Sequence, residues 1–182
     1  MKIHKFISKA FEGWSLDGYV PAPDGGHTES GVTVAGGFDI GQRSVDQIDD
    51  AFDTELADKL APYAGITGAS AVLLIENRPL RLSEEECVVV QEYACREADA
   101  LLLADWERAT KLPFSSLIDE QRMVMTSLAY QYGDLPSQCP MAWKQATTGD
   151  WEALLRNLWN FGDAFKSRRR QEYAILLWGM CK

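Results

Sequence analysis

The chain has 182 residues, of which 46% are hydrophobic and 25% are charged, so it can bury a core as one domain or as two small lobes sharing a helix. Its formal net charge of -9 argues against broad nucleic-acid binding, which needs a basic face. The same charge means that any contact with a polyanion has to be local. No apolar run reaches the roughly 20 residues that a membrane-spanning helix needs.

The N-terminal segment has the spacing of a one-sided helix. Apolar residues recur at intervals of three and four over residues 3–11, and Gly13 is expected to end the helix. Positive charges open the segment, but no apolar core or small-residue cleavage site follows them, so a cleaved signal peptide is not expected. A protein that works outside the cytoplasm would then be carried there by other means, or the chain is a fragment of a longer polypeptide.

The stretch from Tyr19 to about Ile40 is the one convincing β region of the sequence. It is rich in Gly, Pro, Thr and Val, and the segment Pro21–Gly26 carries the strongest turn signal, Asp-Gly. Apolar residues alternate through the second half of the region, at positions 32, 34, 38 and 40. This alternation predicts that Thr33 and Asp39 lie off the apolar face and point into a cleft.

From Ser44 onward the sequence is helical. Ser44 and Gln47 form a capping box, and apolar residues then follow one face of a helix that is expected to continue until Pro62. A second capping box at Ser83 and Glu86 opens a long helix that runs as far as Lys111. Pro113 breaks it.

The C-terminal half continues as helices separated by short connections. A helix from about Ile118 should stop at Gly133, and residues 134–140 are expected to be a loop. Three further helices are predicted at about 140–147, 150–161 and 163–178. The result is an α+β fold with a hairpin lobe at about 14–43 and a larger helical lobe at about 44–182 plus the N-terminal helix, all within one domain spanning 1–182.

The cysteines and histidines do not predict a metal site. There is no Cys-x-x-Cys pair, and the two histidines, His4 and His27, cannot complete a tight zinc site at a plausible spacing. Cys87 and Cys95 are eight residues apart on one predicted helix, too far along its axis to bond each other. A disulfide from either of them to Cys139 or Cys181 stays open, with free thiols in a core as the alternative.

Two carboxylates and a threonine near the N-terminus suggest a reaction. Cleavage of a glycosidic bond needs one acid to protonate the leaving oxygen and one base to activate water on the opposite face of the sugar. Glu12, at the end of a helix where the macrodipole disfavours a negative charge, is the candidate acid. Asp39 is the candidate base, and Thr33 is its neighbour in the hairpin. Each residue also has a structural interpretation: an exposed glutamate, a turn-capping aspartate and a β-forming threonine.

The order of residues in this region resembles the active-site region of phage-type lysozymes. The resemblance rests on Glu12-Gly13, on Gly18-Tyr19 and on the hairpin segment Gly31–Gly37. Asp39, six residues past Thr33, makes it closer still to the muramidase domain of the pesticin family, and in that family the Glu, the Thr and the Asp form the active site. Residues 121–133 are similar to the central helix of the lysozyme-like fold, and residues 149–151 and 168–172 to its C-terminal helices.

One feature departs from the phage pattern. Phage lysozymes place their second carboxylate about nine residues after the Glu, and here that position is Pro21. Asp39 is therefore the first choice for the base and Asp24 the second. The stereochemical course stays open, because a carboxylate separation of about 6.5–9.5 Å would imply inversion and one of about 5–5.5 Å a covalent intermediate.

Several other residues are candidates for substrate binding. Tyr130 and Gln131 are expected to hydrogen-bond sugar hydroxyls, and Trp14 or Tyr19 to stack on a sugar face, although aromatic residues more often belong to a core. Residues 168–170 are three consecutive arginines close to Glu172. This pattern is more typical of a salt-bridged surface than of a phosphate or nucleic-acid site, and the resemblance allows one of them to brace the cleft.

The resemblance implies a lysozyme-like muramidase that cuts the β-1,4 bond between N-acetylmuramic acid and N-acetylglucosamine in peptidoglycan and needs no cofactor or metal. The alternatives are a lytic transglycosylase or chitinase-like glycosidase on the same fold, or a non-catalytic glycan-binding domain. A bacterial toxin or effector, or a phage lysin, would act in the periplasm or cell wall of a target bacterium after delivery by secretion, uptake or lysis. An immunity protein would be its expected inhibitor.

Overall fold

The computed structural model describes residues 14–21 and 28–182, which fall into two compact units. The N-terminal unit ends at Ala94 and the C-terminal unit begins at Cys95. The predicted N-terminal helix with Glu12 lies outside the described residues, as do Asp24 and His27. Among the described residues, no helix combines the length and the apolarity needed to cross a membrane.

The N-terminal unit contains a three-stranded antiparallel sheet in the strand order β1-β2-β3. The strands are β1 (Ser15–Tyr19), β2 (Thr33–Ala35) and β3 (Phe38–Asp39). In the β2–β3 hairpin, Thr33 pairs with Asp39 and Val34 with Phe38. The predicted apolar face is confirmed, because the side chains at 32, 34, 38 and 40 are all buried in one core cluster. Thr33 is also buried, at 3% exposure, so the opposite face of β2 is covered as well.

Three shorter helices follow the sheet: α1 (Val45–Ala51), α2 (Thr54–Leu60) and α3 (Gly68–Asn77). The Ser44 capping box is confirmed, with the hydroxyl of Ser44 accepting from the backbone N–H of Gln47. The prediction of one helix from Ser44 to Pro62 is wrong. Phe52 is extended, with φ -128° and ψ 159°, and Asp53 caps a new helix by accepting from the N–H of Leu56 at 3.0 Å.

The long helix α4 (Glu84–Ala109) starts in the N-terminal unit and ends in the C-terminal unit. The Ser83–Glu86 capping box at its start is confirmed, with both reciprocal hydrogen bonds present at 2.7 and 3.1 Å. Cys87 and Val90 on this helix join the core of the N-terminal unit. The helix therefore contributes a packed face to the sheet region.

The C-terminal unit consists of the end of α4 and five more helices in the described chain. These are α5 (Asp119–Tyr132), α6 (Leu135–Gln138), α7 (Pro140–Thr147), α8 (Trp151–Trp159) and α9 (Lys166–Met180). Their buried faces form a second core that includes Trp106, Met125 and Leu128. The predicted end of α5 at Gly133 is confirmed, since this glycine has φ +67°. The small hairpin sheet and the larger set of helices make an α+β fold, as the sequence predicts.

The expected loop at 134–140 is wrong, because it contains the short helix α6. Asp134 caps this helix by accepting from the N–H of Ser137 at 3.2 Å, and Leu135 is buried at 2% exposure. All four cysteines are free thiols, three of them buried and Cys181 exposed. The alternative of free thiols in a core is therefore correct for Cys87, Cys95 and Cys139, whereas Cys181 is a free thiol at the surface.

Candidate active site

Asp39 closes a tight loop at the edge of the hairpin. Its carboxylate accepts from the N–H of Gly31 at 3.0 and 3.1 Å and from the N–H of Gly41 at 3.0 Å. The same side chain caps the 3₁₀ turn Ile40–Gln42. Asp39 therefore caps a turn, which is the structural interpretation given above. This role is compatible with a chemical role for the same carboxylate.

The two glycines bridged by Asp39 are in direct backbone contact. A Cβ at Gly31 would lie 2.4 Å from the Cα of Gly41, and a Cβ at Gly41 would lie 2.3 Å from the carbonyl oxygen of Ile66. No residue larger than glycine fits at either position without movement of the main chain. We call Gly31, Thr33, Asp39 and Gly41 the hairpin site.

Burial and backbone donors act on Asp39 in opposite directions. Burial raises the pKa of its carboxyl above the usual 3.8, against the lowering effects of the N–H groups of Gly31, Gly41 and Gln42 and of the charge on Arg43. These backbone N–H groups hold the carboxylate in one orientation. The arrangement suits a base that is held rigidly and can still accept one more proton.

Thr33 lies opposite Asp39 in the strand register. Its hydroxyl donates to the carbonyl oxygen of Gly31 at 3.2 Å, which fixes the rotamer. The hydroxyl oxygen keeps lone pairs that can accept from a water. The structure therefore brings Thr33 and Asp39 together, as the sequence predicts. Glu12 lies outside the described residues.

Gln91 on α4 accepts a hydrogen bond from the turn of the hairpin, a role that the sequence did not predict. Ala35 and Gly37 have positive φ values of 51° and 100°. Between them, the N–H of Gly36 donates to the side-chain oxygen of Gln91 on α4 at 3.0 Å, and Gln91 is only 6% exposed. One signal for this role was present in the sequence. Gln91 is a polar residue among the apolar residues Val90 and Ala94 of α4. The contact fixes the turn that connects Thr33 to Asp39.

Replacing Gln91 with leucine is expected to lower the free energy of unfolding by about 1–3 kcal/mol, because the buried N–H of Gly36 then loses its acceptor. Urea unfolding measures the change. Gln171→Leu, at an exposed position of α9, is the matched control and should change the free energy of unfolding by no more than about 0.5 kcal/mol.

A Cβ at Gly36 would lie 2.4 Å from the Gln91 oxygen. Gly36→Ala should therefore cost less in the Gln91→Leu background than in the wild type; equal costs in both backgrounds would contradict this account.

The predicted substrate-binding residues fall in both units. Tyr19 and Trp14 in the N-terminal unit are 39% and 45% exposed, so both rings have a surface available for contact. In the C-terminal unit, Tyr130 is half-buried near the end of α5. Gln131 follows it, and its side-chain oxygen accepts from the guanidinium of Arg169. The amide of Gln131 is therefore oriented by an ion network.

This ion network corrects the prediction for residues 168–170. Arg168 and Arg169 are 7% and 2% exposed and Glu172 is 0% exposed, so they do not form a salt-bridged surface. Arg169 pairs with Glu172 and, at 2.8 Å, with Asp163, and Arg168 donates to the carbonyl oxygen of Ser127 at 2.8 Å. Arg170 alone of the three is exposed. Close pairing and hydrogen bonding make burial of these charges possible.

Two comparisons with known proteins bear on this arrangement. No curated protein matches the chain. A family model described as "Pesticin: Bacterial toxin homologue of phage lysozyme, C-term" matches residues 2–152, which is well over half of the chain and includes the whole hairpin site. The chain therefore belongs to the pesticin family of phage-lysozyme homologues.

Proposed function

We propose that the protein is a muramidase that hydrolyses the β-1,4 bond between N-acetylmuramic acid and N-acetylglucosamine in peptidoglycan. The observation that carries the proposal is the register pairing of Thr33 with a half-buried Asp39 in a family of phage-lysozyme homologues. The whole chain, 1–182, would act as one domain. No cofactor has a part in this reaction.

In this mechanism Glu12 donates a proton to the glycosidic oxygen as the sugar departs. Asp39 accepts a proton from water, and Thr33 accepts a hydrogen bond from the same water and orients it. The carboxylate is ready for this role because backbone donors hold it in place while burial raises its pKa. In the N-terminal unit, Tyr19 or Trp14 would stack on a sugar. In the C-terminal unit, Tyr130 and Gln131 keep their proposed role of hydrogen-bonding sugar hydroxyls.

Asp39→Asn is expected to reduce the hydrolysis rate by about 100-fold or more, since the amide cannot accept the proton from water. In the wild type, activity should fall as the pH is lowered through the pKa of Asp39, because the protonated acid is no longer a base. That acidic limb should lie above the pH expected for an ordinary aspartate, since the pKa is raised. Rates on purified peptidoglycan across the acidic range measure both effects.

Asp49→Asn, at an exposed position of α1, is the matched control and should keep the full rate. Circular dichroism and urea unfolding check that Asp39→Asn still folds, since its remaining oxygen can accept from Gly31 and Gly41. A folded Asp39→Asn variant with the wild-type rate would move the role of base to another carboxylate, of which Asp24 is the next choice.

The activity itself is tested by mass spectrometry of muropeptides after digestion. A muramidase leaves a reducing N-acetylmuramic acid end with one added water. A lytic transglycosylase leaves an anhydro end, and a chitinase-like enzyme cleaves chitin oligosaccharides instead. Absence of any cleavage by the folded wild-type protein would favour a glycan-binding domain and refute the proposal.

The family description also suggests a biological setting. A bacterial toxin or effector with this activity would reach peptidoglycan in the periplasm or cell wall of a target bacterium by secretion, uptake or lysis, and a phage lysin would be released by lysis. A producing bacterium would then need an immunity protein. Expression in the periplasm of a test bacterium should cause lysis that Glu12→Gln abolishes.

A further inference from the structure

The connection between α8 and α9 forms a pocket of about 360 Å³ in the C-terminal unit. This volume is within the range of roughly 300–1,000 Å³ that is usual for small-ligand sites. Its lining includes Trp159, Asn160, Gly162, Lys166 and Arg170. None of these residues belongs to the hairpin site or to the predicted substrate-binding set.

The pocket carries uncompensated positive charge. Of its four charged lining residues, Asp163 and Arg169 neutralise each other at 2.8 Å. Lys166 and Arg170 have no carboxylate within ion-pair distance in the described parts of the chain. They are four residues apart on α9, where like charges repel. Two such cations side by side are notable in a chain with a net charge of -9.

An exposed aromatic ring lies beside these cations. Trp159 is 50% exposed, and the guanidinium carbon of Arg170 lies 3.2 Å from the centroid of its ring. This distance puts the guanidinium over the ring, and a guanidinium in that position can still donate its N–H groups to an anion. An exposed ring next to oriented cation donors fits a ligand with one flat apolar surface and one acidic group.

We propose that this pocket binds a sugar that carries a carboxylate or a phosphate. Lys166 and Arg170 bind the anion, and Trp159 contacts the sugar ring. The wall origin of this ligand rests on the proposed function, whereas the binding itself does not. Such a pocket would give an acidic protein a local point of attachment to an anionic wall without requiring a basic surface overall.

The test compares ligands that differ in charge. N-acetylmuramic acid adds a lactyl group with a carboxylate to N-acetylglucosamine, and N-acetylglucosamine 6-phosphate adds a phosphate to the same sugar. Titration of the full chain at low salt, followed by two-dimensional NMR of the Trp159 indole N–H, gives the affinities. At least one of the two anions should bind about tenfold or more tightly than N-acetylglucosamine. The tighter anion identifies peptidoglycan or a phosphate polymer as the source.

Variants then locate the binding. The double variant Lys166→Gln, Arg170→Gln should weaken anion binding about tenfold or more, and added salt should weaken wild-type binding. Lys144→Gln, an exposed lysine on α7, is the matched control and should leave the affinity unchanged. Equal affinity for the neutral and acidic ligands, or an equal loss in Lys144→Gln, would overturn the proposal.

The outcomes separate this inference from the proposed function. A wild-type protein that binds an anion in this pocket but releases no muropeptides would refute the muramidase and leave the pocket standing. A protein that digests peptidoglycan normally and shows no anion preference would support the muramidase and refute the role of the pocket. The double variant should hydrolyse short soluble glycans at the wild-type rate, because neither residue is in the hairpin site.

Discussion

Glu12→Gln is expected to lower the rate of peptidoglycan hydrolysis by about 100- to 10,000-fold, which is the usual contribution of a general acid. Glutamine keeps the shape of the side chain and deletes the proton that the departing glycosidic oxygen needs. The loss should appear in kcat, because the proton moves only in the transition state. Release of muropeptides from purified peptidoglycan, with folded protein quantified by circular dichroism, measures the change.

Glu76→Gln makes the same chemical change at an exposed position of α3 and should keep wild-type activity. The Glu12→Gln variant should also bind peptidoglycan as the wild type does in a sedimentation assay, since binding does not need the proton. Wild-type lysis by a folded Glu12→Gln protein would rule out Glu12 as the acid, and with it the mechanism proposed here.

Arg169→Met should produce the largest loss of stability, about 3–5 kcal/mol, as expected when one partner of a buried ion pair is removed. Arg169 pairs with Asp163 and Glu172, donates to Gln131, and lies 4.7 Å from the centroid of the Phe161 ring. Methionine keeps much of the volume but leaves the fully buried Glu172 with less compensating charge. Urea unfolding of the full chain measures the loss.

Arg156→Met is the control, because Arg156 pairs with Glu152 at 3.7 Å and both side chains are more than 70% exposed. An exposed pair of this kind is worth about 1 kcal/mol or less. Adding Glu172→Gln to Arg169→Met should recover part of the stability by removing the uncompensated charge. A loss for Arg169→Met no larger than for Arg156→Met would contradict the role given to the network.

The network also predicts acid sensitivity. Burial tends to raise the pKa of Asp163, but hydrogen bonds from Tyr132 and Arg169 outweigh it and hold the pKa below the usual 3.8. The unfolded chain therefore binds a proton more readily at this position than the folded chain does. The contribution of Asp163 to stability is full above pH 3.8 and is lost as the pH falls through the lowered value. Asp163→Asn should weaken this dependence in urea unfolding at acidic pH.

Local sequence signals were reliable where neighbouring residues alone decide the structure. The capping boxes at Ser44 and Ser83 and the glycine stop at 133 all have the predicted geometry. Each depends on hydrogen bonds or dihedral angles within a few residues. The prediction of one continuous helix through Asp53 failed, because the cap at Asp53 competes with a continuous apolar face and periodicity alone does not detect that competition.

Local sequence patterns did not predict which charged side chains are buried. The arginines at 168 and 169 look like a surface pattern, because isolated charges are costly to bury. Their partners Ser127, Asp163 and Glu172 come from three elements, and only the packing of α5, α9 and the α8–α9 connection brings them together. The role of Gln91 was not predicted for a related reason, since its side-chain oxygen accepts from the N–H of Gly36, 55 residues away in the sequence.

The sequence by itself determined the α+β class, the hairpin with Thr33 and Asp39, the helix caps and the family resemblance, because periodicity, turn residues and motif spacing are local properties of the chain. Only the tertiary structure decided that Asp39 bridges two glycines in contact, that Gln91 holds the turn, and that two arginines are buried. Those features depend on the desolvation and pairing of polar groups, and these free energies are set only when the elements have packed against one another.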